Sequence, residues 1–207
     1  MPYSDRKNAV FIWIPKTAGT SLANVFKKRD VFRRNGREDL WGRIPEEERE
    51  RRNASNWQHI SAIDAREEIG RERWDECFKF TFVRHPYDRI VSFYEYSKAA
   101  RKDPKSVQYG QPDPGGFDQW LDEEQPPGQL HYITDEDGNS MVDFVAKYES
   151  LQRDLLTICF KLRIWPMRVP TLNASKRRDY RSYCTPEIRK RVDALCGEEM
   201  EAFGYEY

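Results

Sequence analysis

"FIWIPKTAGTSLANVF", residues 11–26, decides the fold. An apolar run from Phe11 to Ile14 passes into a loop of Pro, Lys, Thr, Ala and Gly. A segment with Leu22, Val25 and Phe26 at helical spacing follows. The stretch reads as strand, loop and helix, with residues 9–14 as a buried strand and residues 20–28 as the helix. A lysine, three hydroxyl residues and a glycine at such a junction suit a phosphate or sulfate. The N–H groups of a helix's first turn have no intrahelical partner and point beyond its end. Lys16 adds a compact positive charge, Gly19 lets the backbone come close, and the hydroxyls of Thr17, Thr20 and Ser21 are further donors. The stretch does not match the P-loop pattern G-x-x-x-x-G-K-[ST], because Lys16 precedes its glycine and the first glycine is missing. It is an anion-binding loop of another kind; the structural alternative is a plain strand–loop–helix with a surface lysine.

Downstream, strands continue to alternate with helices. Residues 33–52 are dense in charge, and Pro45 followed by three glutamates and then arginines predicts a short solvated helix without chemistry. A short stretch around His59 leads into another helix. Phe78, Phe80 and Phe82 alternate as in a strand, and Arg84 ends it. Pro86 then suits a first helical position, and Tyr87, Ile90, Val91 and Tyr94 form an apolar stripe. Residues 102–116, rich in Pro and Gly, predict a mobile loop. "GFDQWLDEE" reads as a helix, "DFVAKYE" as a strand and "SLQRDLLTICFKLRI" as an amphipathic helix. Thr185 caps a last helix, with Ile188, Val192, Leu195 and Phe203 as its stripe and Gly204 as its terminator. This order predicts an α/β fold with a mainly parallel central sheet flanked by helices. Ligands of such sheets bind beyond the carboxyl ends of the strands. Residues 15–21 and 84–86 both fall there.

The 207 residues predict one domain spanning residues 1–207. Lys plus Arg and Asp plus Glu are both 35, so no global positive field points to nucleic acid, and any anion site is local. The four cysteines form no C-x-x-C pair, and with three histidines no metal site is expected. Cys77, Cys159 and Cys196 read as small buried residues. No apolar run suits a signal peptide or a membrane span, which predicts a cytoplasmic protein.

"IPKTAGTSL" together with "FVRHPYDRIVSFY" resembles the sulfotransferases, specifically the carbohydrate branch of Golgi-type, uronyl 2-O-like enzymes. "LHYITDEDGNSMVDFVAKYESLQRDL", "TLNASKRRDY" and "EAFGYEY" extend the resemblance to the end of the chain, while residues 31–56 and 99–127 carry it weakly. The resemblance implies the sulfotransferase fold, with its P-loop-like sheet, and the donor 3′-phosphoadenosine 5′-phosphosulfate (PAPS), spent as PAP. It implies that Lys16, Thr17, Ala18, Gly19, Thr20 and Ser21 grip the 5′-phosphosulfate. Arg84 and Ser92 would take the 3′-phosphate, and Ser175, Lys176 and Arg177 would close over the nucleotide. The alternative for Arg84 is an ion pair with Asp88 or another carboxylate; that for residues 176–181 is a solvated basic loop.

Sulfuryl transfer, like phosphoryl transfer, depends on positioning and on stabilising charge at the departing oxygen. Lys16 suits that task. The acceptor needs a base, and histidine titrates near neutrality. His59 ranks first, because related uronyl-type enzymes carry a catalytic histidine in a comparable stretch. Asp64 and Glu67 are fallbacks, His85 fits a loop-shaping role and His131 could lie near an acceptor. The alternative for His59 is a structural ring beside Trp57. The acceptor is expected to be a small molecule or carbohydrate bearing a hydroxyl, less readily an amine, with Trp41, Trp57 and Trp120 as possible stacking surfaces. Two competing readings are a kinase-like phosphotransferase and a non-catalytic nucleotide-binding module.

Overall fold

Ala9, Val10, Phe11 and Ile12 have no polar face to present to solvent, and all four are fully buried in a strand. A computed structural model describes residues 2–28, 31–32, 44–106, 108–169 and 178–207. Its strands are Tyr3–Ser4 (β1), Ala9–Ile12 (β2), Phe78–Val83 (β3) and Phe144–Lys147 (β4). They form one sheet in the order β1-β2-β3-β4, antiparallel between β1 and β2 and parallel thereafter. Phe11 lies opposite Phe80, and Phe80 opposite Phe144. The Phe11 and Phe80 rings stack with centroids 5.3 Å apart. The buried Thr81 hydroxyl donates to the Ile12 carbonyl at 2.7 Å, satisfying the one polar side chain of β3's buried end. β2 stops at Ile12, two residues before the apolar run does, because the chain already turns into the loop at Trp13.

The helices, numbered along the chain, are Gly19–Lys28 (α1), Glu46–Arg52 (α2), Ala62–Ile69 (α3), Arg71–Glu76 (α4), Pro86–Ala100 (α5), Phe117–Glu123 (α6), Leu151–Lys161 (α7) and Pro186–Ala202 (α8). The chain divides into two compact units, Met1–Arg84 with Gln129–Leu172, and His85–Gly128 with Asn173–Tyr207.

The first unit holds the sheet, α1 to α4 and α7. Leu22, Val25 and Phe26 of α1, and Leu155, Ile158 and Cys159 of α7, pack with the sheet phenylalanines in one core. Each large side chain buried there contributes about 1.5–3 kcal/mol. Asp154 ties β4 to α7 by accepting from the Lys147 N–H at 2.8 Å and from the Ser150 hydroxyl at 2.7 Å. α2 forms where the proline and glutamates predict it, but its last residue departs from a fully solvated helix. Arg52 is buried, donating to Glu48, Asp64 and Glu68 and lying 4.9 Å from the Trp57 ring centroid.

The second unit is built on α5, whose Tyr87, Ile90, Val91 and Tyr94 are all buried as the stripe predicts. Trp120 of α6 is buried among Tyr94 and Phe117, so it is core and not a stacking surface. Thr185 caps α8 by accepting from the Ile188 N–H at 3.3 Å, and Pro186 takes the first position. The buried face of α8 is Val192, Cys196 and Glu199, while Leu195 of the expected stripe is exposed. Residues 102–116 carry no helix or strand among the described residues.

Candidate active site

Since β2, β3 and β4 run parallel, their carboxyl ends share one edge of the sheet. β2 leads into the loop of residues 13–18, β3 into Arg84 and β4 into Tyr148. These segments meet. Arg84 is buried, its Nη1 donates to the Lys16 carbonyl at 3.2 Å, and its guanidinium carbon lies 4.2 Å from the Tyr148 ring centroid. Gln129, fully buried, brackets the arginine: its Oε1 accepts from the Arg84 N–H at 2.8 Å and its Nε2 donates to the Arg84 carbonyl at 2.9 Å. A side-chain amide thus replaces the strand neighbour that the end of β3 lacks, and it fixes where the guanidinium starts.

The loop itself is strained. Lys16 has φ +70° and Ala18 φ +68°, left-handed values that a side chain tolerates poorly. Left-handed residues in such turns aim backbone N–H groups into a common concavity, an anion nest. The fully buried Thr17 hydroxyl donates to the Ile14 carbonyl at 2.9 Å, so this hydroxyl closes the turn. Thr20 is exposed at the first turn of α1, and Ser21 is buried. Gly19 serves packing: a Cβ there would stand 1.6 Å from the Trp13 indole nitrogen. The room at Gly19 is filled by the tryptophan, so a side chain there would displace the indole.

His59 ends a short 3-10 turn, Trp57–His59, and is half-buried. Its Nδ1 lies 2.9 Å from the Trp13 carbonyl, and its ring stands edge-on to the Trp13 indole with centroids 5.1 Å apart. A carbonyl only accepts, so Nδ1 carries the hydrogen and Nε2 the lone pair. That lone pair faces the Gln58 amide nitrogen at 3.3 Å. Asp64 is committed elsewhere: its carboxylate accepts from the Ser61 hydroxyl and from Arg52, and its backbone N–H donates to the Ser61 hydroxyl oxygen as the helix cap. Glu67 is exposed beside Arg51. His131 is exposed, with its ring edge-on to Tyr132.

Lys16, Arg84 and His59 thus converge on one loop, two of them through its carbonyls. Ser92 lies on α5 in the second unit, half-buried. His85, also in that unit, lies against Tyr180 with centroids 4.8 Å apart, and its Nε2 is 2.9 Å from the Glu206 carbonyl, in keeping with a loop-shaping part. Ser175, Lys176, Arg177 and Trp41 lie outside the described residues. Sequence reasoning missed Trp13, Gln129 and Tyr148. The signal for Trp13 was the glycine six residues later, and Tyr148 ends a strand just as Arg84 does; a lone glutamine gives no such signal.

A model of the sulfotransferase family matches residues 2–206. Among solved structures, a mouse sulfotransferase complexed with PAP is similar, at 15% identity and a TM-score of 0.51, over 96% of this chain and 86% of that one. At that identity the likeness shows the shared fold. Among curated proteins, none matches.

Proposed function

The chain belongs to the sulfotransferase family, and from that premise we propose that it moves a sulfuryl group from PAPS to a hydroxyl, less readily an amine, of a carbohydrate or similar small acceptor. Family membership sets aside the kinase-like reading. The observation that best supports the proposal is the loop of residues 13–19, to which His59 is tied through Trp13 and Arg84 through Lys16. The complex of the similar mouse enzyme with PAP supports the choice of donor.

The donor set suits a phosphate-rich ligand: a lysine, a buried arginine, a strained loop and the start of a ten-residue helix. Lys16 and the loop would hold the 5′ side, and Arg84, with Ser92, the 3′-phosphate. When bound, PAPS supplies the sulfuryl group and a phosphate as leaving group. Lys16 places positive charge where the departing oxygen gathers negative charge, a contact of about 3–4 kcal/mol in comparable sites. His59, held through Nδ1, offers Nε2 to the acceptor's proton, with Gln58 yielding its place. Ser175, Lys176 and Arg177 complete the proposed grip.

The test is a transfer assay with PAPS and a panel of sugars and simple alcohols, read by mass spectrometry of the product. Acceptor-dependent formation of PAP together with a sulfated product is expected. PAP release with no sulfated acceptor across the panel would contradict the proposal.

A further inference from the structure

α7 and the segment after it form an outward surface that the proposed chemistry does not use. At Arg163, where φ is +51°, the chain turns back along α7. The return is pinned by the Ile164 N–H on the Cys159 carbonyl at 3.0 Å, and by Gln152, which donates to the Met167 carbonyl at 2.7 Å and accepts from the Val169 N–H. Leu155, Ile158, Leu162 and Met167 turn inward and are buried. Facing out are Leu156 at 44% exposure, Phe160 at 83% and Trp165 at 82%. They are three of the six exposed large hydrophobics among the described residues, and include the two most exposed.

The exposed charge along this segment has one sign. Lys161, Arg163 and Arg168 are exposed. The single acid between Leu151 and Val169 is Asp154, which is buried and taken up by Lys147, Ser150 and Arg153. The Lys7 ammonium, donating to the Leu162 and Arg163 carbonyls, brings another cation to the same end of α7.

We propose that this face docks the protein on an anionic lipid bilayer. Three apolar side chains fall far short of the roughly 800 Å² that a stable protein interface takes from each partner. A bilayer asks less: Phe160, Trp165 and Leu156 enter the headgroup boundary, where indole and phenyl rings are favoured, while lysine and arginine reach anionic headgroups. The helix lies on the surface and does not span it; among the described residues no helix is long and apolar enough to cross a membrane. An acceptor carried by a lipid or displayed at a membrane would then meet the enzyme at that surface.

The experiment is flotation of the purified chain with phosphatidylcholine vesicles, with and without about 30 mol% phosphatidylserine. The chain floats with the anionic vesicles, at least about tenfold more than with the neutral ones, and high salt releases it. Phe160→Ser with Trp165→Ser, and separately Lys161→Glu with Arg168→Glu, each cut the bound fraction about tenfold at unchanged thermal midpoint. Equal flotation of the variants, or none with anionic vesicles, overturns the proposal. So does a concentration-dependent dimer without lipid that Phe160→Ser dissolves, since a second copy would then cover the face. No readout depends on sulfuryl transfer, so this test fails or succeeds apart from the proposed activity.

Discussion

Lys16 and His59 divide the proposed chemistry between charge and proton, and their variants separate the two tasks. Lys16→Ala removes the cation from the strained loop. Turnover should fall about 10²–10³-fold, with PAP affinity reduced as well. His59→Ala leaves the loop carbonyls in place. It should keep PAP affinity and lose about 10²–10⁴-fold in kcat. A Lys16→Ala protein with wild-type turnover would remove the lysine from the mechanism. A His59→Ala protein that binds PAP poorly would make the ring a structural part of the Trp13 anchor. Lys16 stood out in the sequence because charge and hydroxyls crowd a strand–helix junction, and His59 through the family resemblance. Their supports did not: the hydrogen bond from Thr17 to Ile14 and the indole over Gly19 depend on how the turn closes, which residue types do not state.

Among the elements, the periodic ones read correctly and their non-local ties did not. α5 follows its stripe because Tyr87, Ile90, Val91 and Tyr94 repeat at helical spacing in a single core. α8 buries Cys196 and Glu199 in place of Leu195, since its neighbours choose the face and spacing alone leaves two adjacent faces open. Gln129 lies 45 residues from Arg84, and no local pattern predicts that pairing. Gln129→Leu strands a buried N–H and carbonyl at the end of β3. It should cost about 1–3 kcal/mol of stability and weaken PAP more than ADP; equal weakening of both, measured by calorimetry, would deny Gln129 a positioning part. At the start of α7, burial raises the Asp154 pKa, but the Lys147 N–H, the Ser150 hydroxyl and Arg153 outweigh it, and the net shift is downward. A carboxylate with a folded pKa below its unfolded value adds stability above the unfolded value, about 3.9, and loses it as pH falls through the folded one. Asp154→Asn should therefore lower the thermal midpoint at pH 7, with the gap to wild type closing in acid below about pH 4. A gap that stays constant with pH would show that the charge is not what stabilises.

For the whole molecule, equal numbers of acidic and basic residues leave attraction for an anionic donor to the local site. A ligand that binds only the folded chain stabilises it by mass action, by about 2.7 kcal/mol at 100 times its Kd. PAP should accordingly raise the thermal midpoint where ATP with Mg²⁺ does not. The α/β class and the parallel sheet were legible from the alternation of elements. The division into two compact units was not, because each is assembled from two separated stretches of sequence. The proposed site for a 3′-phosphorylated nucleotide, formed by the strand-end loop and Arg84, is open to calorimetric titration with PAP, with ADP and ATP plus Mg²⁺ as controls. Micromolar binding, about 8 kcal/mol, selective for the 3′-phosphate is expected; no binding, or a preference for ATP with Mg²⁺, would rule the site out.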